Sequence, residues 1–296
     1  MNHPKPLKKG DRIEIVSPAG RLDPALISAA RKRLVAAGFV VSTAPHAAGR
    51  FYKYAGSDAQ RLGDLQTALD NPEVKAVLCA RGGYGSMRFV DQISFEKAAE
   101  QQKWLIGFSD ITALHAAAFK QGLISLHGLM AKDIVHGSDE AVRQFLAVLQ
   151  GTNNPISQPA HPMNRQGRGE GPLIGGNMSM LYALRGTPFD IDWKGAVLFV
   201  EDLGENLYHL DRIMQNFRLS GKLNELAGFI VGQFNDMGDA EFGKTAYEII
   251  EEAVTPFDYP VIYNFPVGHV SYSRSLTHGH HVRLEAGASD CILRFQ

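Results

Sequence analysis

The sequence is poor in cysteine and nearly without net charge, and both shortages exclude classes of protein. Among its 296 residues only Cys79 and Cys291 are cysteines, too few for a disulfide framework or a thiolate metal centre. The formal charge is −1, from 30 lysines and arginines against 31 aspartates and glutamates. Because binding to nucleic acid or to an anionic membrane surface needs an excess of positive charge, we expect neither partner.

Long apolar runs are missing as well. No segment approaches the roughly 20 apolar residues that a membrane-spanning helix needs. The lysine-bearing segment 1–10 is not followed by the apolar stretch of a signal peptide. These absences predict a cytoplasmic protein. The remaining composition, 45% hydrophobic and 21% charged, is that of an ordinary globular chain, and the length suits two domains.

The first half of the chain alternates between strand and helix patterns. Short β-rich runs lie at 12–17, 39–42, 74–80, 105–106 and 124–126. Asp23-Pro24 is typical of a helix start, with proline at the first helical position, and Gly38 is typical of a helix end. Repeated β-α units predict an α/β fold with a doubly wound parallel sheet. In such sheets ligands bind beyond the carboxyl ends of the strands.

Residues 151–170 interrupt this pattern with prolines and glycines, which is typical of an interdomain connection. The sequence therefore predicts an N-terminal α/β domain over 1–150, a linker over 151–170 and a C-terminal domain over 171–296. Short β-like runs broken by glycine near the end of the chain indicate that the second domain is a mixed, β-rich α/β domain.

Ser109 lies where the apolar run 104–107 gives way to a helical pattern. A serine on a tight strand-to-helix turn can act as a nucleophile, because the first amides of the helix stabilise the negative charge that develops there. The usual elbow is G-x-S-x-G, and Ile111 stands in place of the second glycine. From these residues alone, the more economical interpretation is that Ser109 or Asp110 only caps the following helix.

Two further segments carry candidate groups. Arg81-Gly82-Gly83-Tyr84-Gly85 follows the third predicted strand, and its glycines would let backbone amides face a bound anion. A plain tight turn is the alternative, and the segment is neither a Walker loop nor a complete G-x-G-x-x-G. Glu201 follows the apolar run 197–200, where a carboxylate can orient a catalytic imidazole. The alternative for Glu201 is an acidic turn that precedes a helix.

Eleven histidines are candidates for the general base. His115 comes six residues after Ser109, an offset that points away from the turn on a helix. His269 follows Gly268, which would allow a close approach to a site. His278, His280 and His281 resemble a metal cluster and raise the hypothesis of a metal-dependent hydrolase. No H-E-x-x-H motif accompanies them, so no metal is predicted.

Seven segments together resemble one family, the LD-carboxypeptidases, which are serine peptidases of peptidoglycan recycling. In chain order the segments are Ser17-Pro18-Ala19, Arg81-Gly82-Gly83-Tyr84-Gly85, Gly107-Phe108-Ser109-Asp110-Ile111-Thr112, His127-Gly128, Gly175-Gly176-Asn177, Glu201-Asp202-Leu203-Gly204-Glu205 and Val267-Gly268-His269. They follow the family order and cover nearly the whole chain. One departure is Leu129, where the family often has proline after His-Gly.

The resemblance implies a site and a fold. It implies a triad of Ser109, Glu201 and His269, in which His269 removes the proton of the attacking serine and Glu201 holds the imidazole in its productive tautomer. It implies a flavodoxin- or glutamine-amidotransferase-like N-terminal domain, a β-rich C-terminal domain and a homodimer. No cofactor is required by this chemistry.

Further assignments concern the groups that surround the reacting carbonyl. We assign stabilisation of the oxyanion to the backbone amides of Asp110 and of the loop at Gly82 and Gly83. Each donor of this kind typically stabilises the transition state by about 3 kcal/mol. A carboxypeptidase must also bind a free carboxylate, for which Arg81 and Asn177 are the candidates, beside backbone amides.

The resemblance also implies the substrate, a muropeptide tetrapeptide that loses its terminal D-alanine from the L-centre of meso-diaminopimelate. A rival lies within the same family, the microcin-immunity peptidases that cleave peptidyl-nucleotides and carry an aromatic loop before the Gly-Gly-Asn segment. Residues 161–170 contain no aromatic ring other than His161, which favours the muropeptide. A rival from another class is a non-catalytic two-domain protein that binds a small ligand.

Overall fold

The structure is a computed structural model that describes residues 3–296. Its strands are β1 (Arg12–Val16), β2 (Val40–Thr43), β3 (Val74–Cys79), β4 (Trp104–Gly107), β5 (Ser125–His127), β6 (Ile156–Pro159), β7 (Gly167–Asn177), β8 (Val197–Leu203), β9 (Gly228–Asn235), β10 (Val261–Ile262), β11 (Leu276–His278), β12 (His281–Ala286) and β13 (Asp290–Phe295). Its α-helices are α1 (Pro24–Ala36), α2 (Asp58–Asp70), α3 (Glu96–Glu100), α4 (Thr112–Lys120), α5 (Ala131–His136), α6 (Asp139–Leu149), α7 (Met178–Ala183), α8 (Leu207–Leu219) and α9 (Ala246–Val254).

The chain divides into two compact units. One contains the residues up to Thr152 together with Ser271–His278, and the other contains Asn153–Val270 and Gly279–Gln296. Both are mixtures of helix and strand, so the predicted α/β class is confirmed. The predicted domain limits at 150 and 171 stay a prediction.

The first unit contains a sheet in the order β11-β5-β4-β3-β1-β2. The pairs from β2 through β5 are parallel, and β11 adds an antiparallel strand at one edge. The order β2-β1-β3-β4-β5 is that of a flavodoxin-like doubly wound sheet. β3 is buried along its length except at Lys75, as expected for a parallel strand that is covered on both faces.

The ends of the first helices form as their residues predict. Asp23 caps α1, where its carboxylate accepts a hydrogen bond from the Ala25 amide at 2.8 Å and Pro24 occupies the first helical position. Gly38 follows the helix with φ +101°, a conformation that costs glycine little. Ser57 and Gln60 form a reciprocal capping box at the start of α2.

The second unit contains a sheet in the order β10-β9-β8-β7-β12-β13-β6. Its first four strands are parallel and carry helices in their connections, whereas its last pairs are antiparallel. The expected β-rich mixed domain is therefore observed.

The segment 151–170 differs from the expected linker. It contains β6 and the first residues of β7, which pair with β13 and β12. Proline at 159 and glycines at 167 and 169 mask the alternating pattern by which strands are recognised. Residues 156–159 and 167–170 therefore lie within the second sheet.

Few structural observations bear on the predicted cellular location. No helix within residues 3–296 is long and apolar enough to cross a membrane. The predicted absence of a leader concerns segment 1–10, whose first two residues lie outside the described part. The cytoplasmic location and the homodimer stay predictions.

Candidate active site

Ser109 lies on a strained turn at the carboxyl end of β4. It begins a short 3-10 turn over Ser109–Ile111, which leads directly into α4. Its φ is +63°, a left-handed conformation that is uncommon for a residue with a side chain. The strain expected of an elbow is thus present, although Ile111 replaces the second glycine. Strain of this kind is concentrated at functional sites.

The interpretation of Ser109 or Asp110 as a helix cap is wrong. In the described part of the chain, no side chain caps the start of the 3-10 turn or of α4. Asp110 is buried and its carboxylate instead accepts hydrogen bonds from the amides of Ser86 at 2.8 Å and Gly85 at 3.3 Å. The Ser86 hydroxyl donates in return to the Asp110 carbonyl at 2.7 Å. Burial raises the pKa of the Asp110 carboxyl, and these donors oppose that rise.

The glycine-rich loop after β3 packs against Ser109. A Cβ atom at Gly82 would lie 2.9 Å from Ser109 Cβ and 3.1 Å from its Oγ, so only glycine fits without a shift of the backbone. The Gly82 carbonyl accepts a hydrogen bond from the Gly20 amide at 2.9 Å. Gly83 adopts a φ of +102°. Gly82 and Asp110 thus adjoin the serine within one unit, and Gly83 follows Gly82 along the loop.

Arg61 links these loops, a role that no sequence motif indicated. Its guanidinium is almost completely buried. It donates to the carbonyl oxygens of Gly85 at 3.0 Å, Gly56 at 3.1 Å and Pro18. Buried charges need such partners. Arg61 thereby joins two of the family segments, those at 17–19 and 81–85.

Arg81 differs from Arg61 because it is exposed. Its Nη1 donates to the Arg21 carbonyl at 3.2 Å. It makes no ion pair with any carboxylate that the structure describes. Its charge is therefore available to an anionic ligand.

Glu201 and His269 meet in the second unit. Glu201 lies in β8 and is completely buried, and its Oε2 is 2.7 Å from His269 Nδ1. Gly268 permits this approach, because its φ is +131° and a Cβ there would lie 3.1 Å from Glu201 Cβ. A buried carboxylate on Nδ1 favours the tautomer in which that nitrogen carries the proton, so that Nε2 is a base.

Two other carboxylate-histidine pairs show what is particular about Glu201. Asp64 accepts from His46 Nδ1 at 2.9 Å, and Glu205 pairs with His209 Nδ1 at 2.6 Å. The Glu205 side chain is 29% exposed and that of Asp64 is 7% exposed, whereas Glu201 is fully enclosed. The interaction of Glu201 with its imidazole is therefore the least screened of the three.

Asn177 is held by Asp202, which sequence reasoning missed although it follows Glu201 directly. The Asn177 Nδ2 donates to Asp202 Oδ1 at 2.8 Å, and its Oδ1 accepts from the Met180 amide at the start of α7. The amide and hydroxyl of Ser179 donate to the other oxygen of Asp202. Burial, with the neighbouring Glu201 charge, raises the pKa of Asp202 to about 6.

The histidines considered as metal ligands or as a base have other contacts. His278 is buried and stacks on His115 with ring centroids 5.8 Å apart. His115 contacts the Ser125 hydroxyl and the Gly107 carbonyl, and burial lowers its pKa to about 4. His280 and His281 both contact Gln296. Among residues 3–296 no group of three or more potential ligands could hold a metal ion.

Two family models match the chain. The model of the LD-carboxypeptidase N-terminal domain matches residues 13–128, and that of the C-terminal domain matches residues 170–284. The class of the protein is therefore that of the serine-type carboxypeptidases, and the non-catalytic alternative is not retained.

Whole-chain similarities agree with these matches. A probable murein peptide carboxypeptidase of Bacillus subtilis is 34% identical over 280 residues, which covers 91% of this chain and 87% of the relative. The crystal structure of muramoyltetrapeptide carboxypeptidase from Oxalobacter formigenes superposes with a TM-score of 0.87 at 27% identity, and covers 96% of this chain and 98% of that one. The chain belongs to the LD-carboxypeptidase family.

The fold is shared more widely. A structure of MccF in complex with glutamyl sulfamoyl guanosine has a TM-score of 0.89 at 18% identity, and covers 100% of this chain and 99% of that one. At this level of identity the likeness concerns the fold alone.

Proposed function

We propose that the protein is a serine LD-carboxypeptidase that releases the terminal D-alanine from peptidoglycan-derived tetrapeptides, in murein recycling. The observation that carries the proposal is the hydrogen bond between the fully buried Glu201 and His269 Nδ1. A histidine whose Nδ1 is held in this way presents a basic Nε2, the group that activates a serine hydroxyl. Ser109, on its strained turn, is the nucleophile of the proposal.

The proposed mechanism assigns each group one role. His269 takes the proton of Ser109 as the hydroxyl attacks the peptide carbonyl, and then delivers it to the amino group of the departing D-alanine. Glu201 stabilises the imidazolium that forms between these steps. The amides of Asp110 and of the loop at Gly82 and Gly83 receive the oxyanion. Water then hydrolyses the acyl-enzyme with His269 again as the base.

Recognition of the free carboxylate falls to Arg81 in this proposal. Its exposed guanidinium has no carboxylate partner among the described residues and is suited to paired hydrogen bonds with a carboxylate. Asn177 is the second candidate. Because the Asn177 amide group already bonds to Asp202 and to the start of α7, we propose that Asn177 mainly fixes the shape of the site.

The test measures D-alanine release from L-Ala-γ-D-Glu-meso-diaminopimelyl-D-Ala, with and without EDTA. We expect release that EDTA does not affect and that Ser109→Ala reduces by at least about 10⁴-fold. Full activity of the variant would refute the triad, and inhibition by EDTA would support a metal-dependent hydrolase instead. Asp64→Asn, which alters another carboxylate-histidine pair, is the control and should retain activity.

A second candidate is a microcin-immunity-type peptidase that cleaves peptidyl-nucleotides. It is favoured by a cavity of about 800 Å³ in the second unit, lined by the rings of His161, Phe234 and Tyr247, because such rings can stack on a base. Residues 161–170 nevertheless offer only His161, whose ring contacts Tyr247 and Tyr263. Release from a peptidyl-nucleotide at a higher kcat/KM than from the tetrapeptide would favour this candidate.

A further inference from the structure

An exposed aromatic hairpin lies in the first unit and has no part in the proposed chemistry. Phe51 and Tyr54 exchange two backbone hydrogen bonds of 2.9 Å, which close a tight turn around Tyr52 and Lys53. Tyr52 is 82% exposed, and Tyr84 beside the hairpin is 44% exposed. The Tyr54 and Tyr84 rings lie 6.0 Å apart, and the Lys53 ammonium lies 5.4 Å from the Tyr84 ring. We call Phe51, Tyr52, Lys53, Tyr54 and Tyr84 the aromatic platform.

Stability of the fold does not account for Tyr52. Its φ is +54°, a left-handed conformation that glycine or asparagine adopts with less strain. A large, mainly apolar side chain normally stabilises a fold by being buried, whereas the Tyr52 side chain is almost completely exposed to solvent. Strain and exposure at the same residue point to a ligand rather than to packing.

Backbone hydrogen bonds tie the platform to the serine turn. The Arg21 amide donates to the Lys53 carbonyl at 3.2 Å, and the Ala55 amide donates to the Ala19 carbonyl at 3.3 Å. The adjacent Gly20 donates to the Gly82 carbonyl, and Gly82 packs on Ser109. Three successive contacts in the first unit therefore connect the platform to the residue that packs on Ser109.

The charge at the platform is positive in a chain whose net charge is −1. Arg21, Lys53 and Arg81 are all exposed. None of the three makes an ion pair with a carboxylate in the described part of the chain. Flat rings beside unpaired cations suit a ligand that combines a ring with apolar C–H faces and several carboxylates.

We propose that the aromatic platform binds the N-acetylmuramyl sugar that a muropeptide carries at its amino end, while Arg21 and Lys53 bind the carboxylates of the peptide on the same side of the scissile bond and Arg81 keeps the carboxyl-terminal carboxylate. The inference rests on the proposed function. With the carboxyl end of the peptide at Ser109, its amino end must extend away from the serine along the surface. A pyranose ring presents C–H groups on its flat face, which pack on the exposed tyrosine rings.

The test compares two substrates, the free tetrapeptide and the same tetrapeptide with N-acetylmuramic acid on its amino end. Tyr52→Gly is expected to lower kcat/KM for the sugar-bearing substrate by about tenfold, the usual scale for removing one aromatic contact from an interface. It should leave the free tetrapeptide unchanged. The melting temperature should not fall, because glycine relieves the positive φ. Tyr52→Phe should retain activity on both substrates, since it keeps the ring.

Leu219→Ala, at a residue that is 75% exposed in the second unit, is the control and should leave both substrates unaffected. Equal losses on both substrates, or no loss on either, would overturn the inference. A change in oligomeric state with unchanged preference would also overturn it, in favour of an interface between copies. A wild-type enzyme that cleaves neither substrate would instead refute the proposed function.

Discussion

The two units position their candidate catalytic groups by different means. In the first unit the backbone does this work, because Ser109 has a positive φ and a glycine at 82 is needed to admit it. In the second unit side chains do it, because a hydrogen bond of 2.7 Å joins Glu201 to His269. A serine turn can therefore be damaged by adding one methyl group, whereas the glutamate-histidine pair is sensitive to the exchange of a single oxygen for nitrogen.

The surroundings of Ser109 and of Glu201 show the same contrast between backbone and side chains. Near the serine turn, main-chain amides donate hydrogen bonds to the Asp110 carboxylate. Main-chain carbonyl oxygens accept hydrogen bonds from the Arg61 guanidinium. Beside Glu201, a second carboxylate at Asp202 is held by Asn177 and Ser179. The first arrangement fixes the shape of loops, and the second fixes the direction of side chains.

The largest effect is expected from Glu201→Gln, which keeps the size of the side chain. The amide would favour the wrong tautomer of His269, and we expect kcat to fall by about 10⁴-fold with little change in KM. Steady-state release of D-alanine measures it. Asp64→Asn is the matched control, because it changes a carboxylate that also contacts a histidine Nδ1. More than a tenth of the activity in the glutamine variant would show that the pair is not catalytic.

Gly82→Ala tests the backbone side of the comparison. The new Cβ would lie 2.9 Å from Ser109 Cβ and 3.2 Å from the Phe108 carbonyl, so the turn must shift. We expect kcat to fall by about 10²- to 10³-fold, the scale seen when an oxyanion-hole donor is lost.

Gly63→Ala provides the control for that substitution. Gly63 lies in α2, and a Cβ there meets nothing within 4 Å. This variant should keep its activity and gain up to about 1 kcal/mol of stability, because alanine favours the helix. If Gly82→Ala were equally harmless, the loop would have no part in catalysis.

Much of the fold follows from local chemistry and could be predicted. Asp23-Pro24, Gly38 and Ser57 set the ends of α1 and α2 through their own side chains or dihedral angles. The edge strand β6 and the first residues of β7 could not be predicted, because their partners β13 and β12 come from the end of the chain. Local sequence carries no signal for contacts at such a separation.

The candidate site was partly predictable for the same reason. Ser109 and Glu201 follow apolar runs, and the strain at Ser109 is that expected of an elbow. The choice of His269, and the grouping of the three residues as a triad, came from the family resemblance. Arg61 and Asp202 were missed, because an arginine within an amphipathic helix and a second acid in a turn resemble solvated surface residues. Only their burial in the folded chain gives them significance.

The smallest expected effects concern pH, and the two units should respond with opposite signs. Burial lowers the pKa of His115 in the first unit from about 6.5 to about 4, with His278 stacked beside it. Between these values the unfolded chain binds a proton that the folded chain does not. The stability contributed by neutral His115 is therefore complete above pH 6.5 and is lost as pH falls toward 4, by about 3 kcal/mol.

Asp202 in the second unit should act in the reverse direction. Its pKa is raised from 3.8 to about 6, so its contribution is complete below pH 3.8 and is lost as pH rises through 6, by about 2–3 kcal/mol. Urea unfolding at pH 4.5 and pH 7.5 separates the two. Relative to wild type, His115→Gln should weaken the loss of stability in acid, and Asp202→Asn should weaken the loss at neutral pH. His281→Gln, at an exposed site, should change neither. If both variants shifted the pH profile in the same direction, the contrast between the buried imidazole and the buried carboxyl would be wrong.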